Sequence, residues 1–151
     1  MSTPGISNSD DLSPKEKIAE LRASLRLLCV DDDPSFGRIM AKIAKGSRIP
    51  FTHLKTAEEI ISTESRTFNV AIVDCDLGVT NGIDTAKYLE HCFKDIVIIL
   101  VSQSELEVPK WEWPGCVKGF IGKEKGHRFI LASAIHAYGV SYWAKKADQL
   151  R

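Results

Sequence analysis

The chain has 151 residues, 44% apolar and 26% charged, which suits one globular domain and excludes a disordered or fibrous protein. Lys plus Arg and Asp plus Glu each number 20, so net charge gives no argument for a nucleic-acid or membrane partner. No apolar run approaches the ~20 residues that span a bilayer, and the polar, acidic N-terminus is unlike a signal peptide. Cytoplasmic residence without membrane insertion is the resulting expectation.

Residues 1–12 read as a loose polar tail. Ser13-Pro14-Lys15-Glu16 then has the form of a capping box with Pro at the first helical position. Ile18, Leu21 and Leu25 give this short helix an apolar edge, expected to pack on its own domain. Strands are predicted at 25–30, 50–54, 70–73, 96–101 and 117–121. The first, third and fourth are almost continuously apolar, as parallel strands covered on both faces require. Helical spacing lies between them, in Phe36, Ile39, Met40 and Ile43, in Ile83, Ala86, Leu89 and Phe93, and in Leu131, Ile135, Tyr138 and Tyr142. Thr56-Ala57-Glu58-Glu59 opens a further helix with a capping Thr. The alternation predicts an α/β fold with a doubly wound, five-stranded parallel sheet and right-handed crossovers. Residues 1–24 form a tail and short helix, 25–142 the domain, and 143–151 an extension of the last helix.

The segment 105–116 breaks this pattern, because Pro109, Pro114 and Gly115 interrupt any long helix there. A short helix followed by a loop is expected, with Trp111 and Trp113 packed beneath it. The competing reading makes the two tryptophans a partner surface. The four cysteines, Cys29, Cys75, Cys92 and Cys116, form no CxxC pair and predict neither zinc site nor disulfide framework.

The chemistry-bearing residues stand where strands end. Asp31-Asp32-Asp33 follows the first strand, Asp74 ends the third, Ser102 ends the fourth and Lys123 follows the fifth. Ligands of open parallel sheets bind beyond the carboxyl ends of strands, where the connection direction reverses. If the first and third strands are neighbours, their carboxylates converge. Two such charges at ~4 Å repel by about 1 kcal/mol in water and by several times more near a protein surface. A cation offsets that repulsion, and hard oxygen ligands favour Mg²⁺. Asp74 is then placed to act as a nucleophile towards phosphorus, with the Ser102 hydroxyl and the Lys123 charge stabilising the transferring group. Asp33, before Pro34, reads as a helix cap.

At this point the residues resemble the receiver domain of two-component response regulators, over about residues 25–142. LLCVDDDPSFGRIM is similar to the family's first strand and acidic pair, Asp31 and Asp32. VAIVDCDLGVTNG is similar to its phosphorylation strand and loop, with Asp74 as acceptor and Gly82 as the loop glycine. IVIILVSQ carries the switch hydroxyl at Ser102, and GFIGK carries Lys123 with the aromatic switch residue Phe120. The resemblance implies a flavodoxin-like strand order 2-1-3-4-5. It also implies phosphoryl transfer to Asp74 from a histidine kinase or phosphotransfer protein. Mg²⁺ would be held by Asp32, Asp74 and the backbone carbonyl of Asp76, with Asp31 beside them. Phosphorylation would draw in Ser102 and Lys123 and bias Phe120 inward, remodelling the family's face of fourth helix, fifth strand and fifth helix. The chain departs from the family pattern at Leu77-Gly78, Asn81, Gln103 and Glu124.

The expected protein is a phosphorelay receiver acting through an unknown downstream protein, not nucleic acid, and not an enzyme beyond self-phosphotransfer and autodephosphorylation. Homodimer formation is left open. Asp74-Cys75-Asp76 also resembles the DxD of haloacid dehalogenase-type phosphatases, but Gly78 stands where that family has Thr or Val. A receiver-like interaction module that is never phosphorylated is the other alternative.

Overall fold

The computed structural model describes residues 11–63, 67–76, 81–103 and 110–150, without the side chains of 61–63. Five parallel strands, β1 (Leu27–Val30), β2 (Phe51–Leu54), β3 (Val70–Asp74), β4 (Val97–Ser102) and β5 (Val117–Gly122), form one sheet in the order β2-β1-β3-β4-β5. The helices are α1 (Pro14–Ser24), α2 (Pro34–Gly46), α3 (Gly82–Cys92) and α4 (His127–Gln149). Each predicted strand is present, with ends shifted by one or two residues.

The strand sequences are apolar throughout because both sheet faces are covered, and successive side chains serve opposite cores. Leu27, Cys29, Val70, Ile72, Val97, Ile99 and Val101 meet Phe36, Met40, Ile130, Leu131 and Ala134 of α2 and α4. Leu28, Val30, Ala71, Val73, Ile98 and Leu100 meet Ile60 and the α3 residues Ile83, Ala86 and Leu89. Parallel register pairs Val30 with Val73 and Asp74 with Val101, so the strands of the acidic residues end level with each other.

Local sequence sets the helix starts. Ser13 and Glu16 form the reciprocal capping box, and the Asp33 side chain accepts from Ser35 N–H ahead of Pro34. Gly37 in α2 is required by packing: a Cβ there would lie 2.3 Å from the His53 ring. The N-terminal helix does rest on its own domain. Ser24 Oγ lies 2.8 Å from the Tyr138 hydroxyl, Asn69 Nδ2 donates to Ser24 O, and Glu20 pairs with Lys146. Leu25, at its end, is fully buried, whereas Ile18 is exposed.

Two expectations need correction. The helix opened by Thr56 is 3₁₀ over Ala57–Thr63 rather than α. Trp111 is 84% exposed, on a 3₁₀ turn at Lys110–Glu112, and does not pack beneath a loop; Trp113 is half-buried against the α3-side core. Among its described residues the segment holds the short 3₁₀ turn, which leaves the Trp111 ring bare. The first part of the Pro- and Trp-bearing segment and Leu77-Gly78 lie outside the described residues. Among the described residues, no helix is long and apolar enough to cross a membrane.

Candidate active site at the carboxyl end of the sheet

Strand β1 pairs with β2 on one side and β3 on the other, so the chain reverses its winding at the β1–β3 boundary. Asp31, immediately after β1, is fully buried and Asp74 is 2% exposed, while Asp32 is exposed. One carboxylate oxygen from each lies within 4.8 Å of the others. The Asp31 position is held by three backbone-related contacts. Its N–H donates to Leu54 O (3.0 Å), its Oδ1 accepts from Asp33 N–H (2.8 Å), and its carbonyl accepts from His53 Nε2 (2.7 Å). The last bond assigns the proton of a neutral His53 to Nε2.

Lys123, at the end of β5, reaches back into this pit. Its Nζ lies 2.8 Å from Asp31 Oδ2 and 3.5 Å from Asp74 Oδ2, and 4.6 Å from the centre of the Phe36 ring. The ring is buried and tilted against His127 with centroids 4.9 Å apart, so it forms a fixed wall under the ammonium. Burial pulls the Lys123 pKa down, but Asp31 and Asp74 outweigh it and the net shift is upward. Burial is also the largest influence on Asp74 and, with the Asp31 charge, raises its pKa to about 6 against the lowering effects of Asp76 N–H and Lys123.

Asp76 N–H donates to Asp74 Oδ1 (3.0 Å). The Asp76 side chain crosses to β4, where Oδ2 accepts from Ser102 Oγ (2.8 Å) and from Gln103 N–H (3.1 Å). Gly82 permits the close return of the chain after this loop, since a Cβ would stand 2.8 Å from Cys75 Sγ and 2.9 Å from Cys75 Cα. Phe120 is half-buried against the α3-side core.

The donor set fits a hard divalent cation. Asp31 Oδ2 is buried and receives no well-aligned hydrogen bond, its contact with Lys123 being an ion pair of poor hydrogen-bond geometry. A buried carboxylate oxygen left in that state beside two further carboxylates has room in its coordination for a cation. The structure thus gathers Asp31, Asp32, Asp74 and Lys123 into one pit, and it joins Ser102 to Asp76. His53 and Phe36 escaped the sequence reading. A His on a strand and a Phe on an amphipathic helix carry no signal until the fold sets them against Asp31 and Lys123.

No protein-family model and no curated protein matches the chain. Solved structures do. A response regulator receiver domain protein from Methanospirillum hungatei JF-1 is 20% identical with a TM-score of 0.70, covering 80% of this chain and 98% of that one. The N-terminal domain of a response regulator/sensory box/GGDEF protein from Carboxydothermus hydrogenoformans is 17% identical with a TM-score of 0.65, covering 80% and 98%. A response regulator from Burkholderia pseudomallei, solved with a phosphorylated aspartic acid, calcium ion and citrate, is 17% identical with a TM-score of 0.66, covering 83% and 75%. Identities this low speak to fold alone, and the fold of this chain is that of response-regulator receiver domains.

Proposed function

We propose that the chain is a phosphorelay receiver in which Asp74 accepts a phosphoryl group from a histidine kinase or phosphotransfer protein. The observation that carries this reading is the convergence of Asp31, Asp32 and Asp74 around Lys123 at the carboxyl end of the sheet, with Lys123 touching two of the three carboxylates.

An Asp74 oxygen attacks phosphorus in line with the phosphohistidine nitrogen. The new O–P bond forms as the P–N bond breaks, and the imidazole leaves with the electron pair and takes up a proton. Asp76 N–H holds the Asp74 carboxylate in orientation through Oδ1. Lys123 stands ready to neutralise charge on the incoming oxygens, and the near-complete burial of Asp74 limits water at the reacting centre. Asp31, Asp32 and Asp74, with the carbonyl of Asp76, would hold Mg²⁺, which when bound offsets the negative charge between acceptor and donor. Water later attacks the acyl phosphate, returning the Asp74 carboxylate and inorganic phosphate, so the protein turns over only its own modification.

The output is a change in protein contacts. Ser102 re-forms its hydrogen bonds at the modified Asp74, and Phe120 on β5 responds beside it.

Titration with beryllofluoride in the presence of Mg²⁺, followed by tryptophan fluorescence, tests this. Trp113 packs against the same core as Phe120, so its emission reports on that side of the sheet. The expected result is a saturable change in wild type that is absent in Asp74→Ala. No change in wild type, or an equal change in Asp74→Ala, contradicts the proposal.

A further inference from the structure

Asp76 makes a contact that the transfer chemistry does not need. One oxygen of its carboxylate takes both the Ser102 hydroxyl and the Gln103 N–H. The β3–β4 register pairs Asp74 with Val101, so these two donors are the next two residues beyond the acceptor's own partner, Ser102 ending β4 and Gln103 following it. An anionic oxygen that accepts from a hydroxyl and a backbone N–H at one point shows that these two donors can hold the kind of oxygen a phosphoryl group on Asp74 would present. Asp76 is itself exposed, so it can leave for solvent without stranding a buried charge.

We infer that the Asp76 carboxylate is a resident competitor of the phosphoryl group, holding the Ser102 hydroxyl and Gln103 N–H in the unmodified protein and giving them up when Asp74 is loaded. The inference rests on the reading of Asp74 as acceptor. Asp76 thereby sets how tightly the site takes a phosphoryl group, and it keeps Ser102 engaged before any modification. Ser102 therefore exchanges one anionic acceptor for another, rather than gaining its first.

The test is a double-mutant cycle read by beryllofluoride binding in saturating Mg²⁺, using Asp76→Ala and Asp76→Asn in wild-type and Ser102→Ala backgrounds. Releasing donors from a charged acceptor predicts affinity about tenfold higher in Asp76→Ala, with Asp76→Asn between it and wild type. The gain should fall below about threefold when Ser102 is already Ala, because one contested donor is gone. A gain of equal size in both backgrounds would mean simple removal of a repelling charge and would overturn the inference. So would a response from every variant with no effect of Asp76. No response from any of them would overturn the acceptor reading, and the inference with it. A second readout needs no ligand: the Gln103 amide proton resonance should move upfield in Asp76→Ala, and an unmoved resonance overturns the competitor role.

Discussion

Replacing Asp74 with Asn should stabilise the metal-free protein, although it removes the residue on which the function depends. The Asp74 carboxylate is 2% exposed and stands near Asp31, while only Asp76 N–H and Lys123 favour its charge. Burial and like charge prevail, and the pKa stands at about 6 against 3.8 for the free group. Because the folded state holds this proton more tightly than the unfolded one, the Asp74 contribution to stability falls as pH rises from about 4 to about 6 and is level above that. A displacement of roughly two pH units corresponds to a cost of about 3 kcal/mol at neutral pH. Asn keeps an oxygen to accept from Asp76 N–H and removes a negative charge from beside Asp31. Urea and thermal denaturation in chelator should therefore show Asp74→Asn and wild type equal near pH 4. At pH 7 the variant should be about 3 kcal/mol more stable, or about 6–12 °C higher in Tm for a chain of this size. Millimolar Mg²⁺ should close much of that gap by binding the wild-type carboxylates in the folded state. A difference that stays constant between pH 4 and 7, or a wild type more stable than Asp74→Asn at pH 7 in chelator, refutes the reasoning.

Other outcomes follow from the packing and the loops. Gly37→Ala forces a Cβ into the His53 ring and should cost about 1–3 kcal/mol, seen as a lower urea midpoint with the slope unchanged. Trp111→Ala should leave stability within about 0.5 kcal/mol of wild type, because the ring is exposed; a larger loss would show that Trp111 supports the fold. Gln103→Ala should react faster with acetyl phosphate if the Gln103 side chain narrows access to Asp74, and an unchanged rate discards that role. Lys123→Ala should retain Mg²⁺ binding but lose about 10²-fold or more in phosphorylation rate, measured by intact mass, since it removes the positive charge nearest Asp74.

Much of the architecture was legible because it is encoded in composition over short windows. Val70-Ala71-Ile72-Val73 and Val97 to Val101 admit little except strands covered on both faces, and Ser13-Pro14-Lys15-Glu16 spells a helix start in side chains that bond locally. The ends of those strands then located Asp31, Asp74, Ser102 and Lys123. Features that depend on tertiary distance were not legible. Thr56 signals a helix start but says nothing about whether 57–63 closes its turns at three residues or four. Trp111 and Trp113 are equally apolar in sequence, and only the position of the α3-side core decides that one is covered and the other bare. Asp76 could be noted as an extra acid, but its reach to Ser102 and Gln103 depends on how the loop after β3 meets the end of β4.

The central claim is that Asp74, and no other acid of the pit, carries the phosphoryl group. The direct measurement is incubation with acetyl phosphate and Mg²⁺, followed by intact mass and by tandem mass spectrometry of the trapped acyl phosphate. The account predicts a single phosphoryl adduct, labile to hydroxylamine, dependent on the divalent cation, on the peptide bearing Asp74 and absent from Asp74→Ala. An unmodified wild type, or an adduct that maps to Asp31, Asp32 or Asp76 or persists in Asp74→Ala, would contradict it.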